Sequence, residues 1–93
     1  MMCRATAIGA FASATGTNAI ALGGLANATG VSSLAIGEEA QALGDRSFAF
    51  GFQANAAKAD TLALGSGAFA NFSGSAALGQ NVETTRSGQV ALG

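Results

Sequence analysis

The tripeptide Ala-x-Gly returns seven times, always 14 residues after the last. It stands at Ala7-Ile8-Gly9, Ala21-Leu22-Gly23, Ala35-Ile36-Gly37 and Ala49-Phe50-Gly51, then at Ala63-Leu64-Gly65, Ala77-Leu78-Gly79 and Ala91-Leu92-Gly93. A fixed short period means that one small structural unit is stacked on copies of itself. Fourteen residues are too few for a helical-hairpin repeat, which needs roughly 33. They suit two short strands and two turns.

Units counted from Arg4 begin again at Asn18, Ser32, Arg46, Asp60 and Gly74, and a seventh from Gly88 is partial. Residues 1–3 read as a ragged extension and residues 4–93 as one repeat domain of six full units and part of another. Position two is small or polar, as at Ser33, Ser47, Thr61 and Ser75. Position three is usually bulky, four is always Ala, five is Ile, Leu or Phe, and six is Gly. Positions nine and eleven are Ala in the first five units. Glycine fills position thirteen at Gly16, Gly30 and Gly44, and then gives way to Lys58, Phe72 and Arg86. Glycines at six and thirteen are expected to supply a left-handed backbone at the two turns.

The pattern predicts an all-β parallel solenoid, with coils stacked about 4.8 Å apart and a rod roughly 30 Å long. The second strand alternates alanine with varied, often polar residues, so one of its faces is buried and the other wet. The first strand is apolar on both faces. Ala7, Ala21, Ala35, Ala49, Ala63 and Ala77 lie on one side of it. On the other lie Ile8, Ile20, Leu22, Leu34, Ile36, Phe48, Phe50, Leu62, Leu64, Leu78, Val90 and Leu92. A thin coil buries only one face. So long an apolar stripe is too large to leave exposed on a monomer, and a homo-oligomer of cyclic symmetry is expected. The alanines at position four are assigned to the roll interior, with Ala12, Ala14, Ala26, Ala28, Ala40, Ala42, Ala54, Ala56, Ala68 and Ala70. The bulky pair is assigned to the inter-chain core; the opposite facing is the alternative.

Composition removes several function classes. The net charge is −1, which gives no electrostatic footprint for nucleic acid or acidic lipid. There is no His, Pro, Trp or Tyr. No carboxylate pair stands out as a dyad, and Glu38-Glu39 read as solvated turn residues. Cys3 is the one cysteine, with no His to activate it and no partner for an internal disulfide. The glycines precede no helix, so no phosphate loop is indicated. No catalytic, cofactor or metal residue is expected. The uncharged run from Ala5 to Gly37 is broken by Ser, Thr, Asn and Gly, unlike a membrane span of about 20 apolar residues. The signal-like start MMCRATAIGAFASA belongs to the repeat.

Stretches such as SSLAIGEEAQALGDRSFAFGFQANA and GSAALGQNVE resemble the YadA-like head domain of trimeric autotransporter adhesins. That family's repeat reads approximately N/S-S-V-A-I-G-x-x-A/S-x-A-x-G, and the likeness runs from Arg4 to Gly93. It implies a left-handed parallel β-roll and a homotrimer. It also implies a place on the bacterial cell surface or outer membrane, and adhesion, with host matrix protein such as collagen as a partner of some members. This chain departs from the family pattern in having Asn at position one only at Asn18, and in Val82 and Thr84 where alanines are usual. No stalk heptads or anchor pattern are read in it. It therefore reads as a head module.

Two further expectations come from stacking. Arg46 and Asp60 are 14 apart, hence vertical neighbours and a surface ion pair. Phe11, Phe52, Phe69 and Phe72 fall off the apolar stripe, on turns or the wet face, and are the candidate ligand surface; covering a neighbouring coil or chain is their other use. The functional expectation is a multivalent surface adhesin head. The alternatives are a non-binding spacer of a surface or phage fibre, and an ice-binding solenoid. The last needs a repeated row, and position twelve reads Thr15, Thr29, Leu43, Ala57, Asn71, Thr85.

Overall fold

The computed structural model describes residues 4–93. Cys3 lies outside the described residues. The chain is a flat parallel β-solenoid with extents of 36 × 25 × 10 Å. Positions three to five form the strands of one seven-stranded sheet: Thr6–Ile8, Ile20–Leu22, Leu34–Ile36, Phe48–Phe50, Leu62–Leu64, Ala76–Leu78 and Val90–Leu92. Positions ten and eleven form a second sheet of five strands, from Ser13–Ala14 to Phe69–Ala70. Every pairing is parallel and joins residues 14 apart, such as Ala21 to Ala35 and Ala42 to Ala56. The sequence period is the sheet register.

The two sheets pack mainly through alanine. Ala21, Ala35, Ala49, Ala63 and Ala77 of the first sheet are fully buried. So are Ala26, Ala28, Ala40, Ala42, Ala54, Ala56, Ala68 and Ala70 of the second half-coil. A slab 10 Å thick has room for methyl groups and little more. Position two completes this interior, with Ala19, Ser33, Ser47, Thr61 and Ser75 buried. The sequence marks this position only as small or polar, and four of the five carry hydroxyls, so it does not identify them as interior.

Ala7 differs from the expectation: it is exposed, and Ala12 and Ala14 are half-buried. They belong to the first described coil, which has a neighbour on one side only. Coil six also departs from the pattern. Val82 and Thr84 replace alanines, and the second sheet is reduced there to a single bridge between Phe69 and Glu83. Thr84 is buried, accepts a bond from the Asn71 N–H at 3.1 Å and lies 3.0 Å from Ser75 Oγ. The Ser75 hydroxyl donates to the Phe72 carbonyl at 2.5 Å, so the Thr84 hydroxyl is the donor of that pair. A larger side chain thus enters the narrow interior with its polar atom satisfied.

The turns correct a second expectation. Glycines at position six do adopt positive φ, 121° to 133°. Gly16, Gly30 and Gly44 do not. The left-handed residues are at positions one and eight, where Phe11, Asn18, Leu25, Ser32, Glu39, Arg46, Gln53, Asp60 and Asn81 have φ of 56° to 63°. Glycine at thirteen answers to space instead. A Cβ on Gly30 would stand 2.0 Å from the Gly44 carbonyl oxygen in the next coil. In these coils the N–H groups of both Thr29 and Gly30 converge on the Ala42 carbonyl, drawing the turns together.

Each coil is therefore two similar halves of seven residues. Positions one and eight are left-handed, two and nine are buried, and four and eleven are buried. Turns close in the same way, from Ala12 N–H to Gly9 C=O and from Ala19 N–H to Gly16 C=O.

Candidate functional site

The solenoid presents four surfaces, two sheet faces and two turn edges. The outer face of the first sheet carries the bulky residues of positions three and five. Ile20 and Phe50 are exposed; Leu22, Leu34, Ile36, Phe48, Leu62, Leu64 and Leu78 are half-buried; Ile8, Val90 and Leu92 at the two ends are exposed. None of the twelve lies inside the protomer. The residues pair in columns, Leu34 with Phe48 and Ile36 with Phe50. Phe48 and Phe50 stack at 6.2 Å between ring centroids with 8° between planes. The face is one continuous apolar surface along the rod.

The outer face of the second sheet is polar and grooved. Leu25, Glu39, Gln41, Gln53 and Asn55 line an open groove of about 520 Å³. Positions eight and ten of successive coils place them side by side. Gln53 Nε2 donates to Glu39 Oε1 at 2.8 Å, which fixes both side chains across the coil step. Asn27 and Asn55 stand one coil to either side of Gln41, and the Oδ1 of each is covered and without a donor. Alternation along the second strand places Gln41, Gln53 and Asn55 on the wet face but does not place them in a groove.

The candidate aromatic set does not converge. Phe69 shares the second sheet with the groove and pairs with Asn55 across strands. Phe11 is 84% exposed at a left-handed turn position. Phe52 is on the same edge as Phe11, three coils on, and Phe72 is on the opposite edge. Both are exposed.

The edge carrying positions thirteen to one holds the ion pair. Arg46 Nε donates to Asp60 Oδ1 at 2.6 Å and Nη2 to Oδ2 at 3.1 Å, a bidentate contact between coils. The hydrogen bond from Arg46 is the main cause that holds the Asp60 carboxyl below its ordinary 3.8; loss of hydration opposes it, and the Arg46 charge adds to it by a smaller amount. Asp45 Oδ1 accepts from the Val31 N–H at 2.9 Å, a second brace between coils. Among the described residues no cluster of three or more His, Cys, Asp or Glu forms that could hold a metal.

Known proteins carry the same repeat. The family model of the YadA head domain repeat, two copies long, matches residues 4–26, 28–54 and 56–81, more than half of the chain. No curated protein is similar enough to count as a relative. Among solved structures, the collagen-binding domain of the Yersinia adhesin YadA matches all of this chain and 82% of its own, at 24% identity and a TM-score of 0.45.

Proposed function

The chain belongs to the YadA head repeat family, and we propose that it acts as the trimeric head of a bacterial surface adhesin. One observation carries this reading. The bulky columns of the first sheet all face out of the protomer, in an unbroken stripe that a soluble monomer does not leave in water. Three copies around one axis cover it. Fully burying a Leu, Ile or Phe side chain contributes about 1.5–3 kcal/mol. These residues are already half-buried, so about 1 kcal/mol each remains to be gained, repeated over the length of the rod.

The second-sheet face then points away from the axis and is the surface offered to a partner. Phe69 and the carboxamide groove lie on it, three copies per trimer. Weak sites held on one rigid rod gain avidity, by as much as 10²–10⁴ for a partner that reaches more than one, without any new contact. A host matrix protein such as collagen is the partner class to try first. Phe11, Phe52 and Phe72 are the further aromatic candidates.

The test has two parts. Light scattering over a hundredfold dilution is expected to give a constant trimer mass; a monomer throughout contradicts the assembly. Immobilised matrix proteins are then expected to retain the trimer, with Phe69→Ala, Phe72→Ala and Phe11→Ala compared. Retention by no surface protein favours a spacer over an adhesin.

A further inference from the structure

The two edges of the slab are opposite in charge. All four basic residues, Arg4, Arg46, Lys58 and Arg86, stand at positions one or thirteen, on a single edge, together with Asp45 and Asp60. The other edge, at positions seven and eight, carries Glu38 and Glu39 and no cation. Within the protomer, among the described residues, neither Glu38 nor Lys58 takes part in an ion pair; the pair present is Arg46 with Asp60. Both edges also expose apolar side chains: Leu25 and Phe52 on the acidic one, Val31 and Phe72 on the basic one.

The proposed trimer gives these edges a use, and their pairing rests on that reading of the assembly. When three flat slabs turn one face to a common axis, each slab meets the next along its edges. A rotation makes that contact heterologous, so the acidic edge of one copy meets the basic edge of its neighbour. Cyclic symmetry has no translation along the axis, so equivalent residues of the copies stand at equal heights. The seven–eight turn of a coil lies about half a coil from the fourteen–one turn that comes after it, roughly 2.4 Å in rise. At that height Leu25 faces Val31. Glu38 lies between the turn of Val31 and that of Asp45 and Arg46. Phe52 lies between the turn of Asp45 and Arg46 and that of Lys58, Ala59 and Asp60. The like charges near Glu38 are each engaged: Glu39 by Gln53 Nε2 at 2.8 Å, Asp45 by the Val31 N–H at 2.9 Å, and Asp60 by Arg46 itself.

We propose that Glu38 of one copy pairs with Arg46 of the next, which its own Asp60 already holds in place. Leu25 packs on Val31 one coil before, and Phe52 on the Lys58 stem one coil after. Arg46 then serves two carboxylates with its planar fork, which a lysine there does not reproduce. The edges thereby favour parallel copies in one axial register, because a reversed copy would bring like-charged edges together, and the uncharged apolar stripe does not make that choice.

The test uses the chain with Cys3→Ser as background. Glu38→Cys with Arg46→Cys, treated with a short bifunctional maleimide, is expected to give a covalent trimer on a denaturing gel. The two positions lie on opposite edges of a slab 25 Å wide, so the link is not made within one copy. Each single cysteine variant is expected to stay monomeric on that gel. In parallel, Glu38→Arg is expected to raise the concentration for trimer dissociation about tenfold or more, and Glu38→Arg with Arg46→Glu to recover part of that loss, since the second change also removes the Asp60 brace. A trimer in solution that yields no covalent trimer, or single variants that link as dimers, overturns the edge contact and leaves the trimer standing. A monomer at every dilution overturns both.

Discussion

Gly30 and Gly24 look alike in the sequence and do different work. A Cβ on Gly30 meets the next coil's backbone at 2.0 Å, while on Gly24 the nearest atom is 3.8 Å away. Gly30→Ala is expected to destabilise by about 1–3 kcal/mol, the usual cost of overpacking. Gly24→Ala is expected to fall within about 0.5 kcal/mol of the parent, as for surface changes generally. Thermal unfolding of the pair measures this. The buried hydroxyls of position two divide in the same way. Thr61 and Ser75 donate to the carbonyls of Lys58 and Phe72, whereas Ser33 and Ser47 Oγ are buried without a partner. Ser47→Ala is expected to stabilise by about 1 kcal/mol and Ser75→Ala to destabilise by about 1 kcal/mol or more. Opposite shifts in midpoint, read by circular dichroism, are the expected outcome; a loss in both overturns the assignment. Ala19 already shows that the position accepts alanine.

At the scale of the coil, stability comes from repetition, with each coil bonded to the next through its own copy of the same ladder. Side-chain pairs between coils add to that ladder, and Arg46–Asp60 is the best aligned. Its effect on pH dependence has a definite sign. The folded carboxyl of Asp60 lies below its ordinary 3.8, so its contribution is fully present above that value. It is lost as pH falls through the folded value, in the region below about 4. Both side chains are exposed, so the effect is small and weakens with salt. Unfolding followed between pH 6 and 2.5 is expected to show a slightly shallower acid loss in Asp60→Asn than in the parent. An identical pH profile contradicts the linkage. The half-coil likeness was present in the sequence at this scale, since alanines stand at two, four, nine and eleven in the second unit: Ala19, Ala21, Ala26 and Ala28. The regular spacing of glycine hid it, because glycine at six serves φ and glycine at thirteen serves space.

For the whole molecule, a solenoid touches only its neighbours along the rod, so coils are removable in whole units. Deleting Ser32 to Asp45 joins Val31 to Arg46 with every later residue still in its position. The shortened chain is expected to keep its parallel-sheet signature and to form a trimer that dissociates more readily, because Glu38 is removed with the coil. Deleting 13 residues instead turns the second-sheet alanines outward, since one residue of slip reverses every side chain. That variant is expected to be unfolded or aggregated. Proteolysis resistance and circular dichroism distinguish the two. A fold retained with 13 removed contradicts the register.

The amino-acid sequence alone determined the period, the parallel stacking, the alanine interior of the regular coils and the vertical meeting of Arg46 with Asp60. All of these come from spacing, and a 14-residue translation carries them intact from coil to coil. Tertiary structure decided which face of the first strand is inside, because either face is apolar and only the 10 Å slab excludes the bulky one. It decided that, among the described residues, nine non-glycine side chains sit at left-handed positions, where identity gave no hint for Phe11 or Leu25. It also decided that Leu25, Glu39, Gln41, Gln53 and Asn55 form a groove and that the basic and acidic turns lie on opposite edges. These depend on where a closed coil folds back on itself, which a period states only as a length.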